Sequence, residues 1–257
     1  MSAVFDAYAA YYDLLYRDKD YAAEAAYVAA LVRSRRPGAV RILELGCGTG
    51  AHAEHLVRLG FEVVGVDLSE PMLVQARARR DALPAELSRR LSFGPGDVRT
   101  LRLGERFDAV ISLFHVISYQ TSNDELDCAF STAAEHLGQD GVFLFDYWYG
   151  PAVLTQRPSV RVRRIEGEQA RVQRIAEPDI DTETNVVMVN YSVSVEDRAN
   201  GATYALVESH PLRYLFLPEI DRLASGLFVR PQHFGWMKDE RPNDGDWAAV
   251  TLLERAP

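Results

Sequence analysis

The stretch VRILELGCGTG, from Val40 to Gly50, constrains the fold more than any other part of the chain. A short apolar run breaks into three glycines. The segment that follows, AHAEHLVRLG, carries apolar residues at helical spacing and ends on Gly60, the residue type favoured at a helix C-cap. A strand that turns on glycine straight into a helix is the opening unit of a doubly wound α/β sheet. The alternation then repeats. FEVVGVDLS reads as a second strand, and Ser69 caps the helix EPMLVQARARRDAL, with Pro71 in its first turn. LSFGPGDV is a weaker third strand and FDAVISLF a fourth; a helix from Asn123 to Leu137 then precedes a fifth, GVFLFDYW. Strands alternating with helices in this way predict a parallel sheet. Ahead of it, residues 6–36 read as helix, first AYAAYYDLLY and then DYAAEAAYVAALVRSRR, closing on basic residues and stopped by Pro37-Gly38.

The pattern changes after Trp148. VRVRRIEGEQARVQRI reads as a hairpin across Glu166-Gly167, and NVVMVNYSVSVEDRANGATYALVESH as another across Asn200-Gly201, both with period-two alternation. Residues 151–210 are therefore expected to form an antiparallel insertion. A helix, LPEIDRLASG, and two closing strands around HFGWM and WAAVTLLER follow it. The expected division is 1–150, 151–215 and 216–257. A chain of 257 residues can bury one large core and carry such an insertion.

Composition narrows the classes. The two cysteines, Cys47 and Cys128, rule out a disulfide framework and a cysteine-rich zinc site. No apolar run approaches the roughly 18 residues that cross a bilayer. MSAVFDAYAAYYDLLYRDKD lacks a basic and then apolar leader, so the expected compartment is the cytoplasm, with no membrane partner. With 28 basic against 37 acidic residues and a net charge of −9, there is little basic surface for gripping nucleic acid.

Three acidic positions follow the strand ends. Glu44 sits inside the first strand just ahead of the glycine turn, where it would repel a pyrophosphate but not the cation of a sulfonium amino acid. The turn also lacks the spacing of a dinucleotide fingerprint, since only Thr49 separates Gly48 from Gly50. Asp67, 17 residues after Gly50, closes the second strand, where a carboxylate can accept both hydroxyls of an adenosine ribose. Gly96, Asp97 and Val98 close the third, where a carboxylate and a backbone N–H can read an adenine edge.

In this order and spacing, ELGCGTG, GVDLS, GPGDVRTL and RFDAVISLFHVISY resemble the successive motifs of the class I S-adenosylmethionine-dependent methyltransferases over residues 40–150. The resemblance implies a Rossmann-like α/β fold with a seven-stranded sheet and S-adenosylmethionine along the carboxyl ends of its strands, S-adenosylhomocysteine being the product. The implied cofactor-binding residues are Tyr21, Glu44, Gly46, Cys47, Gly48, Asp67, Leu68, Met72, Gly96, Asp97, Val98, Leu113 and Phe114. Outside the core, AAYYDLLYRDKDYAAEA, the insertion after GVFLFDYWYGPAVL and the late Trp247 resemble the nucleotide-sugar N-methyltransferases that make dimethylated amino sugars. That likeness implies a nucleotide-linked, dTDP-type amino sugar as acceptor. It places Tyr12 against the substrate, Tyr21 near the methionine end of the cofactor, and Phe114, His115 and Tyr119 beside the reacting amine. It also makes the insertion a substrate and homodimer element. FHVISY departs from the serine-rich segment of several such enzymes, which leaves methylation of a sugar hydroxyl or another small metabolite as the alternative.

The expected reaction is in-line transfer of a methyl group to a neutral amine. Alignment supplies most of the gain, roughly 7–11 kcal/mol for a well-positioned pair, and Tyr12, His115 and Tyr119 are the catalytic candidates. His115 or Tyr119 would take the amine's proton in a pocket that disfavours the charged form. No metal is expected. RNA methylation is disfavoured by the acidic charge, and a binding-only module by the intact Glu44, Gly46, Gly48, Asp67 and Asp97. Cys47 and Cys128 read as packing residues, and His52 and His55 as exposed and inert. Arg157, Arg161, Arg163, Arg164, Arg171 and Arg174 in the insertion, against Glu166 and Glu168, fit either a diphosphate site or a solvated hairpin face.

Overall fold

The computed structural model describes residues 9–167 and 170–257. Two helices, α1 (Ala9–Leu15) and α2 (Tyr21–Arg35), precede the core. The predicted helix over 6–36 breaks between them, where Asp20 caps α2 by accepting from Ala23 N at 2.9 Å. Residues 6–8 lie outside the described residues.

The core then alternates β1 (Arg41–Leu45), α3 (Ala51–Arg58), β2 (Glu62–Asp67), α4 (Glu70–Asp81), a short α5 (Ala85–Ser88), β3 (Leu91–Pro95), β4 (Phe107–Ser112), a 3-10 turn (Val116–Tyr119), α6 (Asn123–Glu135) and β5 (Leu137–Tyr149). Residues 150–156 form a helix, α7 (Gly150–Gln156), in place of the strand pairing expected from 151 onward. The insertion follows as β6 (Arg161–Glu166), β7 (Ala170–Asp181), β8 (Val186–Asp197) and β9 (Thr203–Leu215). The chain closes with α8 (Leu217–Ala224), β10 (Phe228–Gly235) and β11 (Ala248–Arg255).

Strands β3, β2, β1, β4 and β5 pair side by side and parallel; β11 runs antiparallel to β5, and β10 antiparallel to β11. Both faces are covered, which explains strands that are apolar throughout. Ile42, Ala109 and Leu144 face α2, α3 and α4, while Leu43, Val110 and Phe143 face α6 and α8. Ser69 caps α4 as expected, through Met72 N and Leu73 N. Ser122 and Glu125 form a reciprocal capping box on α6.

The insertion sheet β6–β7–β8–β9 is antiparallel and joins the core where Trp148 and Tyr149 pair with Tyr214 and Leu215. Pro178 sits in β7 beyond Ala176, where β6 no longer pairs, which is where a strand tolerates a residue without N–H. Leu15 of α1 packs into a cluster with Ile165, Val172 and Val193, so α1 covers the inner face of this sheet.

Candidate active site

At the carboxyl end of β1, the N–H groups of Gly46 and Cys47 both donate to the Val66 carbonyl, at 2.8 and 2.9 Å. Gly46 has φ +77°, and a Cβ there would lie 2.6 Å from both methyls of Val116, so only glycine closes this turn. Gly48 N–H donates to Asp67 Oδ2 at 2.8 Å and Ser69 N–H to Oδ1 at 2.9 Å, which fixes the carboxylate at the end of β2. Burial raises the Asp67 pKa, and these backbone donors oppose the rise. The turn is fastened to α1: Thr49 donates to Asp13 Oδ1 at 2.7 Å, and Arg79 bonds the Thr49 carbonyl, Glu54 and Asp13.

After β3, both carboxylate oxygens of Asp97 are held by the Arg99 guanidinium, which keeps this carboxyl below its usual range. Arg99 also reaches Glu125 Oε1 at 2.7 Å, so the capping glutamate of α6 braces this corner. After β4, Phe114 and His115 take consecutive left-handed conformations, φ 62° and 65°. Two such residues in a row cost of order 1–3 kcal/mol each and occur where the surroundings hold them. The holder is Asp146 on β5, which is buried and accepts the His115 N–H through both oxygens at 3.2 Å. His115 Nδ1 lies 2.7 Å from Asp146 Oδ2, close but outside hydrogen-bond alignment.

These corners open on one cavity of about 420 Å³. Fifteen of the sixteen candidate residues line it, from Tyr12 and Tyr21 through the glycine turn, Asp67, Leu68, Met72, Gly96, Asp97 and Val98 to Leu113, Phe114, His115 and Tyr119. Glu44 is the one that does not line it. It is 1 % exposed, stands behind the turn instead of on the cavity wall, and its Oε2 has no hydrogen-bond partner. Burial, and then the charge of Asp67, push its carboxyl up to about 8.

The sequence missed several residues of the wall. His52 was expected to be exposed; it is buried, lines the cavity, bonds Glu24 Oε2 at 2.8 Å and meets the Tyr21 ring edge-on at 4.9 Å. Burial lowers its pKa, with Glu24 opposing. His55 is half-buried. Lys19 pairs with Glu24 and places its Nζ 4.5 Å from the Phe114 ring centre. From the insertion side come Tyr191, His210, Pro211 and Leu212, with Trp148 and Trp247 packed edge-on at 5.4 Å. No local motif marks this group, because neighbours on one strand face share only a two-residue period. None of the six insertion arginines lines the cavity. Arg163 and Arg171 pair with Asp18, Glu166 and Glu196, as on a solvated face, whereas Arg174 is half-buried, donates to the Tyr16 hydroxyl at 2.9 Å and lies over the Tyr191 ring; Glu168 lies outside the described residues. Cys47 is buried and its thiol is pushed well up by that burial, whereas Cys128, expected in the core, is exposed. On α6 the buried face is Leu126, Ala129, Phe130 and Ala133, and Cys128 falls on the other side.

The residues present fit a nucleoside with a cationic amino-acid tail. Gly48 has open space where a side chain would stand, Asp67 is a fixed acceptor at a strand end, and the Tyr21 hydroxyl is buried on the cavity wall with no hydrogen-bond partner. Strand order, glycine turn and acidic strand ends together define a class I S-adenosylmethionine-dependent methyltransferase. A family profile described as a methyltransferase domain matches residues 42–141. The dTDP-3-amino-3,4,6-trideoxy-alpha-D-glucopyranose N,N-dimethyltransferase of Streptomyces venezuelae is 44% identical over 142 residues, and this match spans about half of each chain, 54% here and 56% there. The dTDP-3-amino-3,6-dideoxy-alpha-D-glucopyranose N,N-dimethyltransferase of Streptomyces fradiae is 35% identical over 223 residues, covering 85% of this chain and 82% of that one. Among solved structures, Streptomyces venezuelae DesVI superposes with a TM-score of 0.79 at 29% identity, covering 97% of this chain and 98% of its own. The S-adenosylmethionine-bound aminopentose methyltransferase CalS10 of Micromonospora echinaspora gives 0.71 at 28%, covering 98% of each. The chain belongs to this family of S-adenosylmethionine-dependent N-methyltransferases.

Proposed function

We propose that the protein methylates the amino group of a nucleotide-linked amino sugar, of the dTDP type on which the curated relatives act. The observation that carries the reading is the continuity of the cavity. It runs from the glycine turn past Phe114 and His115 to an aromatic wall built by Trp148, Tyr191 and Trp247, so a cofactor and an acceptor share one space. Gly48, Asp67 and Tyr21 would hold the cofactor. When bound, S-adenosylmethionine supplies an electrophilic methyl on a sulfonium. The chain's own contribution is orientation: Tyr12 and Phe114 pack edge-on at 6.4 Å and narrow the passage between the two halves. The enclosed aromatic surroundings favour the neutral amine over its ammonium, and Tyr119 and His115 stand beside the acceptor half to receive the proton.

One observation favours a hydroxyl acceptor as a second reading: His115 Nδ1 stands 2.7 Å from the Asp146 carboxylate, so a small turn of the ring would form the imidazole–carboxylate hydrogen bond that a harder deprotonation requires. Calorimetric titration with S-adenosylhomocysteine, then with a dTDP-linked amino sugar on the loaded protein, tests the first reading. Binding of the homocysteine compound without any response to the amino sugar would move the acceptor to another class.

The finer features follow the same reading. Val162, Ile175, Ser192 and Val207 share one cross-strand row on the face of the insertion sheet away from α1, and Val207 is 74% exposed. This row supports a homodimer formed through the insertion, which light scattering of the purified protein would test. The free state of Cys47 and Cys128 suits the cytoplasm, which cell fractionation would test. The division at 1–150, 151–215 and 216–257 separates cofactor core, acceptor and dimer element, and closing strands.

A further inference from the structure

Behind Tyr119 stand two titratable side chains of β9, of which His210 lines the cavity. The Tyr119 hydroxyl lies 2.8 Å from His210 Nδ1, and His210 Nε2 lies 3.1 Å from Glu208 Oε2. A carboxylate only accepts, so the imidazole proton sits on Nε2 and Nδ1 offers its lone pair to the tyrosine hydroxyl. His210 is 1 % exposed and Glu208 7 %. Their neighbours on the inner face of the insertion sheet are Val187, Val189, Leu212 and Tyr214. An acid–imidazole pair among such side chains is costly to desolvate, and packing alone would be served better by aliphatic residues. Tyr119 and His210 line the cavity, on the side of Trp148 and Trp247.

We propose that Tyr119, His210 and Glu208 form a relay that receives the proton shed by the acceptor's ammonium, an inference that rests on the N-methylation reading. The ammonium N–H bond breaks toward the Tyr119 oxygen while the tyrosine's own proton passes to His210 Nδ1. The Glu208 carboxylate balances the imidazolium, and the electron pair stays on the amine nitrogen, ready to attack. The proton returns to solvent when product leaves, and a second methylation repeats the step on the secondary ammonium. Among the described residues, the groups facing His210 include Tyr119 from the 3-10 turn, Glu208 on its own strand and Tyr191 on β8, with the Arg174 guanidinium of β7 over the Tyr191 ring at 5.0 Å.

The test compares H210N, E208Q and Y119F with the unaltered protein in two ways: calorimetric affinities for S-adenosylhomocysteine and the amino sugar nucleotide, and single-turnover methyl transfer as a function of pH. H210N is expected to leave both affinities unchanged and to slow transfer at neutral pH by about 10²–10⁴-fold. E208Q and Y119F should slow it in the same direction. All three losses should shrink as the pH rises past the amine's own pKa, because the neutral amine then enters from solution. Neutral-pH transfer by H210N and E208Q as fast as in the unaltered protein would overturn the relay alone, and so would losses of equal size at every pH. An unaltered protein that binds S-adenosylhomocysteine but methylates no amine would overturn the N-methylation reading and the relay with it.

Discussion

Glu44 offers a prediction whose size can be worked from the structure. Its carboxyl ionises at about 8 in the fold, against an ordinary 4.5, because burial and Asp67 both disfavour the charge. Between those two values the folded protein holds one proton that the unfolded chain has lost. Stability therefore falls as pH rises through this window, by up to about 1.4 kcal/mol per pH unit and on the order of 4–5 kcal/mol in all. Glutamine has the shape and hydrogen-bonding groups of a neutral amide and no proton to lose, so E44Q removes this dependence. Urea denaturation of both proteins at several pH values from 5 to 8 measures it, since the other titrating groups largely cancel in the difference. E44Q should gain on the unaltered protein steadily as the pH rises, by roughly 1 kcal/mol or more per unit. A difference that stays flat across the window would refute the idea that Glu44 is held neutral behind the turn.

Other expected outcomes concern single residues of the site. Gly46→Ala should destabilise by about 2–5 kcal/mol in urea denaturation, combining the left-handed backbone with overpacking on Val116, and should weaken S-adenosylhomocysteine binding; an unchanged midpoint would contradict the close approach. Tyr21→Phe should leave stability unchanged or raise it by about 1 kcal/mol, because the buried hydroxyl has no partner, yet weaken S-adenosylhomocysteine by roughly threefold to tenfold. Equal affinity in calorimetry would show that this hydroxyl does not meet the cofactor. His115→Asn should slow methylation of an amino sugar without abolishing it, and complete loss with intact binding would favour the hydroxyl acceptor and a firm base.

The core was legible because each of its signals is local. A glycine turn, an acidic strand end and a serine cap each announce themselves within a few residues, so ELGCGTG, Asp67 and Ser69 fall where the pattern put them. What stayed hidden depends on which side of an element faces what. His52 points from α3 toward Glu24 of α2, and no motif in α3 marks that contact. Cys128 is apolar enough for a core but sits two residues from the buried Leu126, on the wrong side of α6. Glu44 was legible as an acidic residue beside the turn, while its position behind the wall follows from the pleat of β1. The far wall was the least legible part. His210 lies 91 residues beyond Tyr119 in the chain, and only the fold of the insertion brings them together.

The most direct measurement is mass spectrometry of dTDP-linked 3-amino and 4-amino sugars incubated with the protein and S-adenosylmethionine. N-methylation predicts one or two added methyl groups on the sugar nitrogen, with S-adenosylhomocysteine formed in equal number. Unchanged amino sugars, in the presence of demonstrated S-adenosylhomocysteine binding, would contradict it.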